Sequence, residues 1–384
     1  MDMSTPRGFR VHVGNCGIKD GRDDFAVLAS DVPASVSAVF TRSRFAGPSV
    51  TLSRTGRADG RARAIVALSG NANVATGAGG LADAREVRGA VAGALGATDE
   101  QVIIASTGLI GQRYPMDDVR VHLRELTTPF PGTDLAAAAQ AIMTTDTHPK
   151  AFAAQCGPAT VAGIAKGVGM MEPNMATLLA FFCTDAEIDP AALDVIFRRV
   201  IGRTFNALSI DTDTSTSDTA VVLANGLAGP VDPAEFERVL YDLALRLVKT
   251  IARDGEGATK LIEVRVTGAR DDDQAKRVGK TVVNSPLVKT AVHGADPNWG
   301  RVAMAIGKCE DDTDIVPEHV TIRFGTQPVY PVLPGPDGLA EVAAHLERDD
   351  VLIQVDLGIA DGDFSVYGCD LSEGYIRLNA DYST

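Results

Sequence analysis

Runs of apolar and β-branched residues alternate with stretches of helical periodicity along the whole chain, and this alternation most narrows the folds open to it. Strands are predicted over residues 25–30, 35–41, 64–69, 101–106, 177–184, 219–224, 262–267, 320–324, 351–357 and 375–379. Two helices announce themselves by their starts. Asp189 precedes Pro190, with Leu193, Ile196, Phe197, Val200 and Ile201 on one face. Asp232 precedes Pro233, with Phe236, Val239, Leu240, Leu243, Leu247 and Val248 on the other stripe. In both, a carboxylate can take up free N–H groups, and the proline's missing N–H costs nothing in a first turn. Such stripes are expected to pack against sheet. A third helix is predicted from about Gln274 to His293, interrupted at Ser285-Pro286, and Asp296-Pro297 reads as a further cap-and-proline start. Residues 271–274 and 331–338 read as looser segments. No repeat or flexible linker breaks the pattern, so one packed α/β body is expected.

Charge and cysteine usage remove several classes of function. Against 36 basic residues stand 50 acidic ones, a net charge of −14, and such a surface repels nucleic-acid phosphates and anionic lipid. The start of the chain lacks the apolar core of a secretory signal. No apolar run approaches the roughly 18 residues of a membrane span. Five cysteines, never spaced as CxxC, favour reduced thiols over a disulfide framework or zinc site. The six histidines show no metal-ligand spacing. The expectation is a soluble cytoplasmic enzyme without metal or cofactor.

The chemistry concentrates in GIAKGVGMMEPNMATLL, residues 163–179. A glycine-punctuated loop bearing Lys166 runs into a proline and then into an apolar strand that Thr177 opens. Taken alone, Thr177 is a β-branched residue at a strand start. Asp211, Asp213 and Asp218 lie among threonines without the spacing of a calcium loop, and read as a hydrogen-bonded turn. Gly167-Val168-Gly169 lacks the third glycine of a dinucleotide fingerprint. The lone Trp299 reads as packing.

This segment resembles the self-cleavage segment of the ornithine acetyltransferases (glutamate N-acetyltransferases), and the likeness continues in order along the chain. It takes in SGNAN at 69–73, LADARE at 81–86, ASTGLIG at 105–111, AIMTTDT at 141–147 and DTST at 213–216. DGEGATK at 254–260, DPNWGR at 296–301 and the closing LNADYST at 378–384 complete it. The resemblance implies cleavage between Ala176 and Thr177, giving segments 1–176 and 177–384 intertwined in one body. It implies a four-layer αββα sandwich, a fold shared with self-processing aminopeptidases, and an α2β2 assembly. It also implies an oxyanion hole at Thr107 and Gly108, and a substrate site of Thr144, Lys166, Thr177, Glu256, Asn379 and Thr384.

These residue types suit the implied reaction. A threonine hydroxyl is a poor nucleophile, but cleavage before it frees an α-amine, with a pKa of about 7.7–8, that can act as its base. Thr177 would take acetyl from N-acetylornithine, release ornithine, and pass the acetyl group to glutamate. Thr107-Gly108 would supply donors to the oxyanion, with glycine permitting close backbone approach. Lys166 suits a substrate carboxylate and Glu256, between two glycines, a substrate ammonium. Thr212 stands where the family usually has glycine between two aspartates, and Val74 where a cysteine is common. Both resemble the branch associated with clavulanic-acid-type biosynthesis, which leaves open whether the chain serves arginine or secondary metabolism. Alternatives are an amidase or aminopeptidase of the same fold, a bifunctional enzyme that also uses acetyl-CoA, or a silent binding protein that stays uncut.

Overall fold

The computed structural model describes residues 4–55, 60–172 and 178–381, which build two sheets. The first holds β1 (Phe9–Gly14), β2 (Phe25–Phe40), β3 (Arg61–Asn71), β4 (Val102–Leu109), β5 (Lys150–Cys156), β6 (Ala159–Lys166), β7 (Leu179–Glu187) and β8 (Thr219–Pro230). Its order is β4-β3-β2-β8-β7-β6-β5, with β1 also on β2. The runs 25–30 and 35–41, expected as two strands, are one strand of 16 residues. Its first half pairs with β1 and β3, and the register then shifts between Ala29 and Ala34. Its second half, Ser35 to Phe40, pairs with β8. Pro33, which has no N–H to give a ladder, sits at that shift. One continuous strand therefore passes from one layer into the next.

The side-chain alternation of strands turns this bend into a sandwich. Leu28, Ile65 and Ile103 on one side and Phe181 and Leu223 on the other share a buried cluster between the two halves. The opposite face of the β2–β4 half, through Val27, Val66 and Ile104, is covered by α1 (Pro48–Thr55), α2 (Gly77–Ala94) and α3 (Met116–Arg124). The short α4 (Leu135–Ala141) sends Leu135, Ala138 and Ala139 into the inter-layer cluster. Beyond β7 and β8, Phe182 and Val222 meet α5 (Pro190–Arg203) and α6 (Pro233–Arg253). The layers run helix, sheet, sheet, helix, as expected.

Both announced helices form where the sequence places them. Asp189 accepts from Ala191 N at 2.9 Å and Ala192 N at 3.2 Å. Asp232 does the same for Ala234 at 2.7 Å and Glu235 at 3.0 Å. Every residue of the two expected stripes is buried. Each large apolar side chain so buried contributes about 1.5–3 kcal/mol.

The second sheet comprises β9 (Leu261–Ala269), β10 (Thr321–Phe324), β11 (Gln327–Tyr330), β12 (Asp350–Asp356) and β13 (Gly362–Cys369), ordered β11-β10-β12-β9-β13. Around it lie α7 (Asp272–Val283), α8 (Pro286–His293), α9 (Trp299–Ile306) and α10 (Pro336–Leu346). Its apolar face shares one buried cluster with α5 and α6, which joins the sheet to the sandwich. Trp299 stacks on Tyr330 with ring centroids 5.7 Å apart, a packing role.

Several expectations are corrected. Residues 375–379 are not a strand but lie in α11 (Glu373–Asp381), outside both described sheets. An i,i+4 hydrogen bond from Asn379 Nδ2 to Tyr375 O and an Arg377–Glu373 pair support the helical turn. The 271–274 segment is not loose: Asp271 caps α7 by accepting from Gln274 N at 2.7 Å. Asp296 does not cap α9, which begins at Trp299; its carboxylate faces Arg301 instead. Residues 163–166 are not loop but the end of β6. Gly163 is needed there because a Cβ would meet Phe182 at 2.6 Å and Leu243 at 2.7 Å.

A pH response follows from the packing of β1 on α3. His12 and His122 meet Nε2 to Nε2 at 3.2 Å, His12 stacked on Phe130 and His122 against Phe25. Burial lowers both from the ordinary 6.5, and for His12 the facing His122 lowers it further. Asp23 opposes the shift at both rings, and Asp24 and Glu125 oppose it at His122. The fold thus holds both rings neutral where the unfolded chain takes up protons. Stability is complete above pH 6.5 and is lost as pH falls through the lowered folded values. Urea midpoints at pH 7.5 and 5.5 test this: the drop should be smaller in His122→Gln than in the parent.

Candidate active site

Six elements converge on one cleft. Thr107 and Gly108 come from the end of β4, Lys166 from the end of β6, and Leu178 from just before β7. Thr144 and Thr145 follow α4, Glu256 follows α6, and Asn379 lies on α11. The end of β4 is special. Asn71 of β3 pairs with both Thr107 and Leu109, and Gly108 has φ +123°. A Cβ on Gly108 would lie 2.2 Å from Gly70 C and 2.6 Å from Asn71 N. Only glycine lets the two strand ends approach this closely.

Charge in the cleft is sparse and well supported. Lys166 is buried and its Nζ donates to Thr107 Oγ1 at 3.2 Å. Burial lowers the Lys166 pKa, opposed first by the carboxylate of Asp146. Burial by itself would raise Asp146, but the Lys166 and Lys150 ammoniums outweigh it and hold the carboxyl below its ordinary range. Glu256 is anchored through its N–H to Val168 O at 2.8 Å. Its Oε1 accepts from Thr145 Oγ1 at 2.8 Å and its Oε2 from Asn379 Nδ2 at 2.8 Å. Gly169 leaves space for it, since a Cβ there would come within 2.5 Å of the carboxylate.

Of the expected site residues, Thr107, Gly108, Thr144, Lys166, Glu256 and Asn379 all line this one cleft. Ala176, Thr177 and Thr384 lie outside the described residues. The described chain on either side of residues 173–177 is held by hydrogen bonds. Asp211 accepts from Met170 N and Met171 N, each at 2.7 Å, and Glu172 N donates to Asp213 O at 2.8 Å. The aspartates read as a turn therefore pin the approach to the segment. On the far side Leu178, which lines the cleft, accepts at its carbonyl from Thr219 N at 2.9 Å. Among the described residues, no group of three or more His, Cys, Asp or Glu could hold a metal ion, and no helix is long and apolar enough to cross a membrane.

Sequence reasoning missed Thr145, which bonds Glu256, and Leu178 as lining residues. It also missed a buried cluster beneath the cleft in which Lys150 Nζ meets Asp146 Oδ1 at 2.8 Å and Asp254 Oδ2 at 2.6 Å. The signal was present in part: Thr144 to Thr147 and Asp254 to Glu256 each carry an acid beside an expected site residue.

A profile of the ArgJ family matches residues 10–384. Over 386 residues the chain is 66% identical to glutamate N-acetyltransferase Oat2 of Streptomyces clavuligerus, covering 99% of this chain and 98% of that one. It is 51% identical to the arginine biosynthesis bifunctional protein ArgJ of Rhodococcoides fascians, covering 100% and 96%. Among solved structures, ornithine acetyltransferase of Mycobacterium tuberculosis, complexed with ornithine, is 38% identical with a TM-score of 0.39, over 44% of this chain and 94% of that one.

Proposed function

This chain belongs to the ArgJ family, and on that premise we propose that it moves acetyl from N2-acetyl-L-ornithine to L-glutamate through Thr177, after cutting itself between Ala176 and Thr177. In the precursor the Thr177 hydroxyl attacks the Ala176 carbonyl carbon. The C–N bond breaks, the nitrogen becomes the Thr177 α-amine, and water opens the resulting ester to a free carboxylate and hydroxyl. In the mature enzyme the α-amine takes the hydroxyl proton as Thr177 attacks the acetyl carbonyl. The proton then goes to the departing amine of ornithine. Glutamate's amine attacks the acetyl ester, and the hydroxyl is restored.

The observation that carries this reading is the place of Leu178. The residue after the nucleophile lines the same cleft as Thr107, Gly108, Lys166 and Glu256. Thr107 and Gly108 serve the oxyanion; the Lys166 ammonium behind the Thr107 hydroxyl strengthens that hydroxyl as a donor. Lys166 also attracts a substrate carboxylate, while Glu256, supported by Thr145 and Asn379, takes a substrate ammonium, and Thr384 completes the site. The ladders support an intertwined product of segments 1–176 and 177–384. Lys166 pairs with Leu179 across β6 and β7, and β2 pairs with β8, so sheet hydrogen bonds join the two segments. Two cut chains assemble as α2β2 in the cytoplasm.

Incubating the protein with N-acetylornithine, with and without glutamate, tests the reaction. Acetylglutamate should form together with ornithine. Acetate release independent of glutamate would replace this reading by an amidase or aminopeptidase. Acetyl-CoA is expected to be a poor donor. Its several phosphates call for clustered cations or a glycine-rich helix start. Among the described lining residues, Lys166 is the one cation beside Asp218 and Glu256. A donor that lacks even one such charge pair, worth about 1.4 kcal/mol, binds about tenfold more weakly. Equal initial rates from acetyl-CoA and N-acetylornithine at matched concentrations would make the enzyme bifunctional.

A further inference from the structure

Lys150 is fully buried, yet it touches no part of the cleft and has no part in the steps above. Its ammonium lies between two buried carboxylates, Asp146 at 2.8 Å and Asp254 at 2.6 Å. Each of these holds a different wall. Asp146 Oδ1 also accepts from Gly167 N at 2.8 Å, directly after Lys166, and its Oδ2 accepts from Thr144 N at 3.1 Å. Asp254 accepts from Thr147 N at 3.1 Å and from the Thr147 hydroxyl, and it stands two residues before Glu256. The cluster thus joins the end of β6, the loop after α4 and the turn after α6.

We infer that Lys150 is a positioning residue: by bridging Asp146 and Asp254 and offsetting their mutual repulsion, it sets the spacing between Lys166 and Glu256 that fits the two charged ends of the amino-acid substrate. The inference rests on the proposed placement of substrate in this cleft. A buried ion pair is weak evidence of a stability role, because desolvation offsets much of its attraction. Removing one partner is another matter. Without the ammonium, two buried carboxylates that shared one nitrogen face each other and repel. The relief available to them is to move apart, carrying Gly167 and Thr144 away from Glu256, or to take up a proton.

The experiment measures kcat and KM for N-acetylornithine and glutamate from pH 6 to 8.5, using the parent, Lys150→Met and the double variant Lys150→Met/Asp254→Asn. Lys150→Met should raise both KM values about 10-fold to 100-fold at pH 8, the loss that a misplacement near 1 Å brings. Lys166 beside Asp146, and His148, whose Nδ1 stands 3.5 Å from Asp254 Oδ1, remain in parent and variants alike. The pH effect is therefore read as the ratio of variant to parent KM. That ratio should shrink toward pH 6, because mutual repulsion raises a carboxylate pKa and protonation below it removes the excess charge. The double variant restores the parent's net charge in the cluster and places an amide N–H donor beside Asp146, so KM should return most of the way at pH 8. KM values in Lys150→Met within twofold of the parent across the pH range would overturn the inference. So would a defect confined to melting temperature and yield. If Lys150→Met does not fold, Asp254→Asn alone decides: an unchanged KM in that variant overturns the proposal, and a raised KM supports it. A parent enzyme that fails to transfer acetyl would instead defeat the reading of the cleft, so the two failures are distinguishable.

Discussion

Thr177→Ala should purify as one uncut chain of 384 residues, where the parent should yield segments 1–176 and 177–384, and it should transfer no measurable acetyl. Both losses have one cause. In the proposed mechanism the hydroxyl that attacks the Ala176 carbonyl in the precursor is the hydroxyl that accepts acetyl in the mature enzyme, and cleavage alone supplies its α-amine base. Removing an enzyme nucleophile costs on the order of 10⁴–10⁶ in kcat, and here the base disappears with it. Thr177→Ser keeps the hydroxyl and should still cut itself and turn over, more slowly. In the parent, kcat should climb with pH through about 7–8 as the α-amine loses its proton and becomes competent as a base. Intact mass and amino-terminal sequencing read the first outcome, and steady-state rates the second. Cleavage of Thr177→Ala at the same bond would remove Thr177 from the self-processing step.

Local signals make some elements legible in the sequence. The caps Asp189 and Asp232 and the stripes of α5 and α6 lie within a few residues of one another, so sequence carries the whole argument. Both halves of β2 are equally visible as apolar runs. Their union is not, because the bend through Pro33 has meaning only once β3 and β8 take opposite halves of the strand. The alanine-rich β5 and β6 give no clear signal, since alanine has little intrinsic strand preference. Among the described strands, β6 is held by pairing with both β5 and β7, and β5 by its ladder to β6 alone. At 375–379 the error runs the other way: Tyr375 and Ile376 favour a strand, but the segment lies outside both described sheets. The cleft residues are found through motifs, each short and continuous. Lys150 and Asp254 stand 104 positions apart, and nothing in either stretch announces the other. A buried charge becomes informative only when its partner is known.

Thr107→Ala and Gly108→Ala should separate chemistry from architecture at the end of β4. Thr107 Oγ1 accepts from Lys166 Nζ at 3.2 Å, which leaves the hydroxyl proton for a developing oxyanion. On the proposed oxyanion role, its loss should remove one donor from the tetrahedral intermediate, a cost of about 10²–10³ in rate. The Lys166 ammonium also loses an acceptor. No backbone constraint is involved, so the melting temperature should hold, and Thr107→Ser should recover most of the rate. The proposed self-cleavage would pass through the same kind of intermediate and should slow along with transfer. Gly108→Ala fails for a different reason. At φ +123° a side chain is strained, and its Cβ would sit 2.2 Å from the Gly70 carbonyl carbon. The atom in the way is backbone in β3, so relief requires the ends of β3 and β4 to part. Gly108→Ala should therefore lower the melting temperature as well as the rate. Thermal melts, cleavage time courses and kcat for N-acetylornithine distinguish the two variants. A folded, processed Thr107→Ala enzyme whose kcat stays within a few-fold of the parent's would take Thr107 out of the mechanism. A Gly108→Ala protein as stable as the parent would show that the two strand ends do not need their close approach.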